Sequence, residues 1–200
     1  MAKLQLNKSS LARETKSLGI FRRFLPSLDL KRKQLTAKLS GAERALAETQ
    51  QKIGYFTENL GQKVPMMANI DIDLAGLVRL KSLDLGHENL VGTTLPIATN
   101  FEIEKQPYAL MAQPHWVDDV ATALEEMLTL NVHEQVERQR ANLLEIAVKV
   151  ITQRVNLFEK VLIPRAENNI RQIKIYLSDE DMAAVVRSKI AKRKRTEMVQ

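Results

Sequence analysis

Cysteine is absent from this 200-residue chain. That excludes disulfides and thiolate metal sites, and the cytoplasm suits the chain at least as well as any other compartment. Aromatic residues are scarce, at 4 % against 44 % apolar residues in all. Such a balance favours long helices over a thick globular core. No window approaches eighteen uninterrupted apolar residues, so no direct membrane span is predicted. Met1–Ser10 has no apolar run of the kind a secretory signal carries. Neither G-x-x-x-x-G-K-[ST] nor G-x-G-x-x-G occurs, so no phosphate-cradling loop is encoded. His87, His115 and His133 are far apart and lack an H-E-x-x-H setting, which assigns them to no metal site. Asp71 with Asp73, and Asp179-Glu180-Asp181, read as solvated charge rather than paired catalytic carboxylates. No catalytic residue, cofactor or metal is therefore expected.

What is present is a stripe. Leu35, Leu39, Ala42, Leu46, Thr49, Ile53, Phe56 and Leu60 are spaced alternately four and three apart. That is the seam of a coiled coil. The same register runs back through Arg32, Leu28, Leu25, Phe21, Leu18, Glu14, Leu11, Asn7 and Leu4. A stripe this narrow is apolar along one edge only, so the helix needs a long, equally narrow partner.

The first helix, residues 1–61, is expected to start between Asn7 and Ser10, whose side chains can cap it. It should end at Gly61, which can take a left-handed conformation, ahead of Pro65. Pro26 lacks an N–H and predicts a kink there. Residues 62–113 change texture: four of the six prolines cluster in or beside them, at 65, 96, 107 and 114. Short alternating runs such as Ile70–Leu74 and Phe101–Glu104, and the turn-like Leu90–Pro96, predict a small connecting subdomain with short strands.

Residues 114–200 read as a second long helix. Pro114 and the pair Asp118, Asp119 suit its start, and the sole tryptophan, Trp116, is placed to glue it to the subdomain. Pro164 predicts a kink, and Ser178 with Asp181 three residues on suggests a break near 178. Leu143, Val150, Leu157 and Val161 are assigned to its seam, facing Leu18, Phe21, Leu25, Leu28, Leu35, Leu39, Leu46, Ile53 and Phe56 on the first helix. The fold class is thus mainly α: a long antiparallel two-helix coiled coil with a small β-containing subdomain between its helices. At 1.5 Å per residue the second helix outruns the first by roughly 30 Å. A lone amphipathic tip exposes its stripe, so a partner is expected to cover it.

The chain carries a net charge of +6 and a pI of about 9.5. Such a surplus suits an acidic protein cavity, a nucleic acid or an anionic membrane surface. The basic tail, Lys189, Lys192, Arg193, Lys194 and Arg195, reads either as a solvated helix end or, being on a projecting tip, as a segment that docks on acidic protein surface; it has no interleaved aromatics, which argues against nucleic acid.

Arg154-Val-Asn-Leu-Phe-Glu-Lys-Val-Leu-Ile-Pro-Arg165 and Asn169-Ile-Arg-Gln-Ile-Lys-Ile-Tyr-Leu177 resemble the signature of the D subunit of V-type/A-type ATPases. The closing Ser188-Lys-Ile-Ala-Lys-Arg-Lys194 resembles that family's usual end. Leu25-Pro-Ser-Leu-Asp-Leu-Lys-Arg32 and Pro114-His-Trp-Val-Asp118 are similar to its bacterial V-type form. Ser178 departs from the glycine more usual there, and residues 62–89 match least. The resemblance implies a non-catalytic central rotor shaft, coupling ATP hydrolysis or synthesis in a ring of A and B subunits to ion transport across the membrane. Implied partners are the A, B and F subunits and the funnel subunit on the membrane rotor. The implied location is cytoplasmic, peripheral on the membrane, with the termini inside the catalytic ring. Taken without the resemblance, the residues leave open a cytoplasmic coiled-coil tether or adaptor with a basic tail and, as a second rival, a basic nucleic-acid-binding helical protein.

Overall fold

A computed structural model describes residues 4–63, 76–106 and 116–197. The protein is mainly α-helical, with a two-stranded antiparallel sheet between its long helices. In chain order these are α1 (Lys8–Lys63), β1 (Val78–Leu90), β2 (Thr93–Lys105), α2 (Trp116–Leu157), a π-helical turn (Phe158–Leu162) and α3 (Ile163–Glu197).

Asn7 caps α1. Its Oδ1 accepts from the Ser10 N–H at 2.7 Å, satisfying a backbone donor that has no partner inside the helix, and its carbonyl accepts the first helical bond, from the Leu11 N–H at 3.0 Å. The helix passes through Pro26 as one element. It also passes the expected stop. Gly61 is helical rather than left-handed, and α1 ends two residues later at Lys63. Pro65, which was expected to end it, lies outside the described residues, as do the run Ile70–Leu74, Asp71 and Asp73, Pro107, Pro114 and His115.

The strands form a hairpin closed by Val91-Gly92, both at positive φ (53° and 76°). Two left-handed residues in a two-residue loop match the twist of the strands. The Asn89 side chain accepts from the Gly92 N–H at 2.8 Å and fixes the turn. Glycine takes this conformation freely; valine, with a branched Cβ, is strained there. Val91→Asn is therefore expected to stabilise the protein by about 1 kcal/mol, raising Tm by roughly 2–4 °C in a calorimetric scan. The register slips twice, once for an extra residue on β1 at Lys81 and once for an extra residue on β2 at Thr99. Gly86 lies close to the second slip, and a Cβ on it would meet Thr99 Oγ1 at 2.6 Å.

The chain divides into two compact units, one of residues 1–31 with 150–200 and one of residues 32–149. In the second, the hairpin runs along α2. Lys105 pairs with Glu125 at 2.7 Å, the Phe101 and His133 rings meet edge to face at 5.7 Å, and Arg140 holds the turn end. Trp116, Val117 and Val120 form a buried cluster with Leu77 and Leu124, fixing the start of α2 to the foot of β1. Gln106 N–H donates to the Leu77 carbonyl at 2.9 Å and closes that foot. Across the same unit α1 and α2 are joined by Gln50 Nε2 donating to Glu134 at 3.1 Å. In the first unit, α1 meets the α2–α3 run through the Phe21 and Phe158 rings, edge to face at 5.5 Å. Arg22 also pairs there with Glu167 at 2.6 Å. Both partners of that ion pair are well exposed, so it contributes little.

α3 runs without interruption through Ser178, so the expected break is absent. Any pull Ser178 and Asp181 exert toward a cap loses to continued helical hydrogen bonding. At Pro164 the chain inserts a π turn immediately upstream, in which the Ile163 N–H bonds the Phe158 carbonyl five residues back. The wider turn leaves Pro164 in the first turn of α3, where its missing N–H and its ring are tolerated.

Candidate partner-binding surfaces

The residues of the α1 stripe differ in burial along the helix. Leu35 is 1 % exposed and Thr49 is buried with it. Leu18, Phe21, Leu25, Leu28, Leu39, Leu46, Ile53 and Phe56 are each half-buried. Half-burial is what a two-stranded seam provides, since a partner covers each side chain from one direction only.

On α2 the expected seam is misplaced by one residue. Leu143, Val150, Leu157 and Val161 are between 39 and 48 % exposed, while Leu144 is 1 % exposed and Ile151 and Val155 are buried. The reason lies in the composition of this helix, which carries two adjacent apolar lines. One residue along a helix is a rotation of about 100°, so only one line can face α1. The line through Val136, Leu143, Val150 and Leu157 is interrupted by Arg140 and Arg154. The line through Ala141, Leu144, Val148, Ile151, Val155, Phe158 and Leu162 is uninterrupted and buried or half-buried throughout, whereas on the other Val136 is buried and Leu143, Val150 and Leu157 are exposed. That continuity is the signal in the sequence that distinguishes the two.

Three surfaces among the described residues stand out as candidates for partners. In the 32–149 unit a cleft of about 660 Å³ opens between α1, the hairpin and α2. Ala37, Gly41 and Ala45 line one side, and His133, Glu137 and Arg140 another. Arg140 is committed: it donates to Glu88 at 3.0 Å on β1 and to the Pro96 carbonyl at 3.1 Å on β2. Glu137 Oε2 is buried with no hydrogen-bond partner among the described residues. The second surface is the uncovered side of α2 in the 32–149 unit, where Leu143 and Ile146 are exposed.

The third is the end of α3. Leu11, near the start of α1, shares a groove with Leu177, Met182, Val185 and Val186. Beyond Leu177 every described side chain is exposed. Met182, Val185, Val186 and Ile190 are each more than half exposed, and the expected binding residues Lys189, Lys192, Arg193, Lys194 and Arg195 lie along the same stretch of helix. Asp179, Glu180 and Asp181 are exposed there too.

No group of three or more metal-ligating side chains occurs among the described residues. No described helix is long and apolar enough to cross a membrane.

The family model for the D subunit of ATP synthase matches residues 10–193. The chain belongs to that family. It is 33 % identical over 192 residues to a V-type ATP synthase D subunit of Borreliella burgdorferi, covering 96 % of this chain and 95 % of the relative. The D subunits of Chlamydia pneumoniae and Chlamydia felis are 29 % and 28 % identical, each match again covering 96 % of this chain, and 92 % and 94 % of the relative. The match runs through both units, so the hairpin, the π turn and most of the exposed α3 end fall within the region shared with the family. The D subunit of a rotary V-type ATP synthase is therefore the coarse identity of this chain, and each surface above belongs to a member of a multisubunit complex.

Proposed function

We propose that this protein is the non-catalytic central rotor shaft of its V-type ATP synthase. It couples ATP hydrolysis or synthesis in a ring of A and B subunits, by rotation, to ion transport across the membrane. The observation that carries the reading is the end of α3, a stretch of helix whose apolar face is uncovered and which carries five basic residues at its close. A helix of that kind is stable when something else covers it. Inside the A/B ring it meets apolar lining first, then acidic or carbonyl groups. One asymmetric helix end touches three otherwise equivalent interfaces differently, which is how a shaft imposes order on them. The uncovered apolar line on α2 offers the F subunit a packing face, and the hairpin end serves the funnel subunit of the membrane rotor. The protein then sits on the cytoplasmic side, peripheral to the membrane.

Truncation after Ser188 tests the assignment of Lys189, Lys192, Arg193, Lys194 and Arg195. Exposed charges contribute a few tenths of a kcal/mol each, so binding to the A/B ring should weaken by roughly tenfold at low ionic strength. The loss should largely vanish in about 1 M salt, where the screening length falls to roughly 3 Å. A titration of labelled chain into A/B ring reads both. Equal affinity of truncated and full chain at both salt concentrations would remove the basic tail from the interface. Failure to enter the ring at one chain per ring would favour a coiled-coil tether instead.

A further inference from the structure

The side chains that face α1 change phase across the π turn. In the 150–200 segment the line is Ile151, Val155, Phe158 and Leu162, spaced four, three and four. A continuous α-helix would next bring Arg165, Asn169, Gln172 and Tyr176 to that face. Instead Ala166 and Ile173 are buried, and Ile170 and Leu177 are half-buried. Each stands one residue later than an unbroken heptad would place it. Arg165, Gln172 and Tyr176 are exposed, and of the four only Asn169 stays half-buried, at the edge of the seam, where its Nδ2 donates to Glu14 on α1 at 3.4 Å. The only irregularity between the two sets is the turn Phe158–Leu162, whose closing bond spans five residues from Phe158 to Ile163. A π turn holds one residue more than an α turn. The extra residue and the phase change are therefore the same event.

We propose that the π turn is a pinned register joint: it stores one residue of slack that sets the α3 seam correctly against α1. Two features pin the slack at this place. Pro164 follows directly, and it cannot donate to an ordinary α turn upstream. Below it, moving the phase back by one residue would expose Ala166, Ile170, Ile173 and Leu177 and bury polar neighbours. Glu159 and Lys160, inside the turn, are exposed and carry none of the packing. The joint is also the point where local opening begins, since its hydrogen bonds are fewer and close wider loops than those of the flanking helices. This inference concerns the fold of the chain and does not depend on whether the chain rotates.

Three full-length variants test it. The first deletes Glu159 and carries Pro164→Ala, which removes the slack and the residue that pins it. The second inserts an alanine between Glu159 and Lys160. The third is Pro164→Ala alone. The deletion variant should melt within about 3 °C of the parent, because Ile163 takes the slot of Leu162 and Ala166, Ile170, Ile173 and Leu177 keep their phase. The insertion should lower Tm by roughly 10 °C or more, because the whole α3 seam is turned away. Pro164→Ala alone should leave Tm near that of the parent, since the spacing of the seam still demands the turn. Hydrogen exchange gives an independent reading. Amides of residues 162–166 should exchange faster than those of 150–155 in the parent, and on the order of tenfold slower in the deletion variant than in the parent. A deletion variant that melts as low as the insertion, or unchanged exchange at the turn, would overturn the proposal.

Discussion

Leu35→Asp is expected to lower Tm by at least about 10 °C, followed by circular dichroism at 222 nm. Leu35 is 1 % exposed in the α1 seam, so the substitution places a carboxylate where no water reaches it. An unpaired buried charge costs on the order of 4 kcal/mol or more. For a chain of this size each kcal/mol is roughly 2–4 °C in Tm. The same change at a position off the stripe, such as exposed Ala47, should stay within about 0.5 kcal/mol of the parent. An unshifted melt for Leu35→Asp would mean that α1 does not use this register.

The second large effect is a contrast between neighbours. Leu144→Ala should cost about 2–5 kcal/mol, the loss of a well-packed leucine together with the cavity it leaves. Leu143→Ala, on the uncovered line, should cost about 0.5 kcal/mol or less in the isolated chain. On the proposed packing of the F subunit against α2 the order reverses: Leu143→Ala is the variant expected to weaken that binding. Urea unfolding of both proteins, with the slope of the transition compared as well as the midpoint, separates a stability change from a change in the unfolded state. Similar midpoints for the two would show that α2 packs both lines.

These two predictions mark where the sequence was readable and where it was not. α1 has one apolar edge that keeps a continuous 4,3 spacing, and the off-stripe Ile20, Phe24, Leu30 and Tyr55 share no such line and are exposed. α2 has Leu143 beside Leu144 and Val150 beside Ile151, and periodicity cannot choose between two lines that share a period. Interruption by Arg140 and Arg154 could have chosen. Arg140 is not a seam residue at all: it faces the hairpin and ties both strands to α2. The hairpin was legible as strand-like texture, with Phe101–Glu104 falling inside β2 and Leu90–Pro96 containing the turn. Its turn was harder to place, because Val91 is the residue type least suited to a left-handed conformation. Pro164 announced an irregularity, and the irregularity proved to be an added residue. Nothing local distinguishes those outcomes; only the phase of Ala166, Ile170, Ile173 and Leu177 does. The α3 end was legible as an amphipathic helix without a mate.

The approach of Gly86 to Thr99 ties two distant positions of the hairpin into one unit of change. The spare residue in β2 has room because position 86 has no side chain. An alanine at 86 would press on the threonine hydroxyl at 2.6 Å, a distance that real packing does not tolerate. Across relatives the two sites should therefore be exchanged together: where a side chain replaces the glycine, the inserted residue opposite should shrink or disappear.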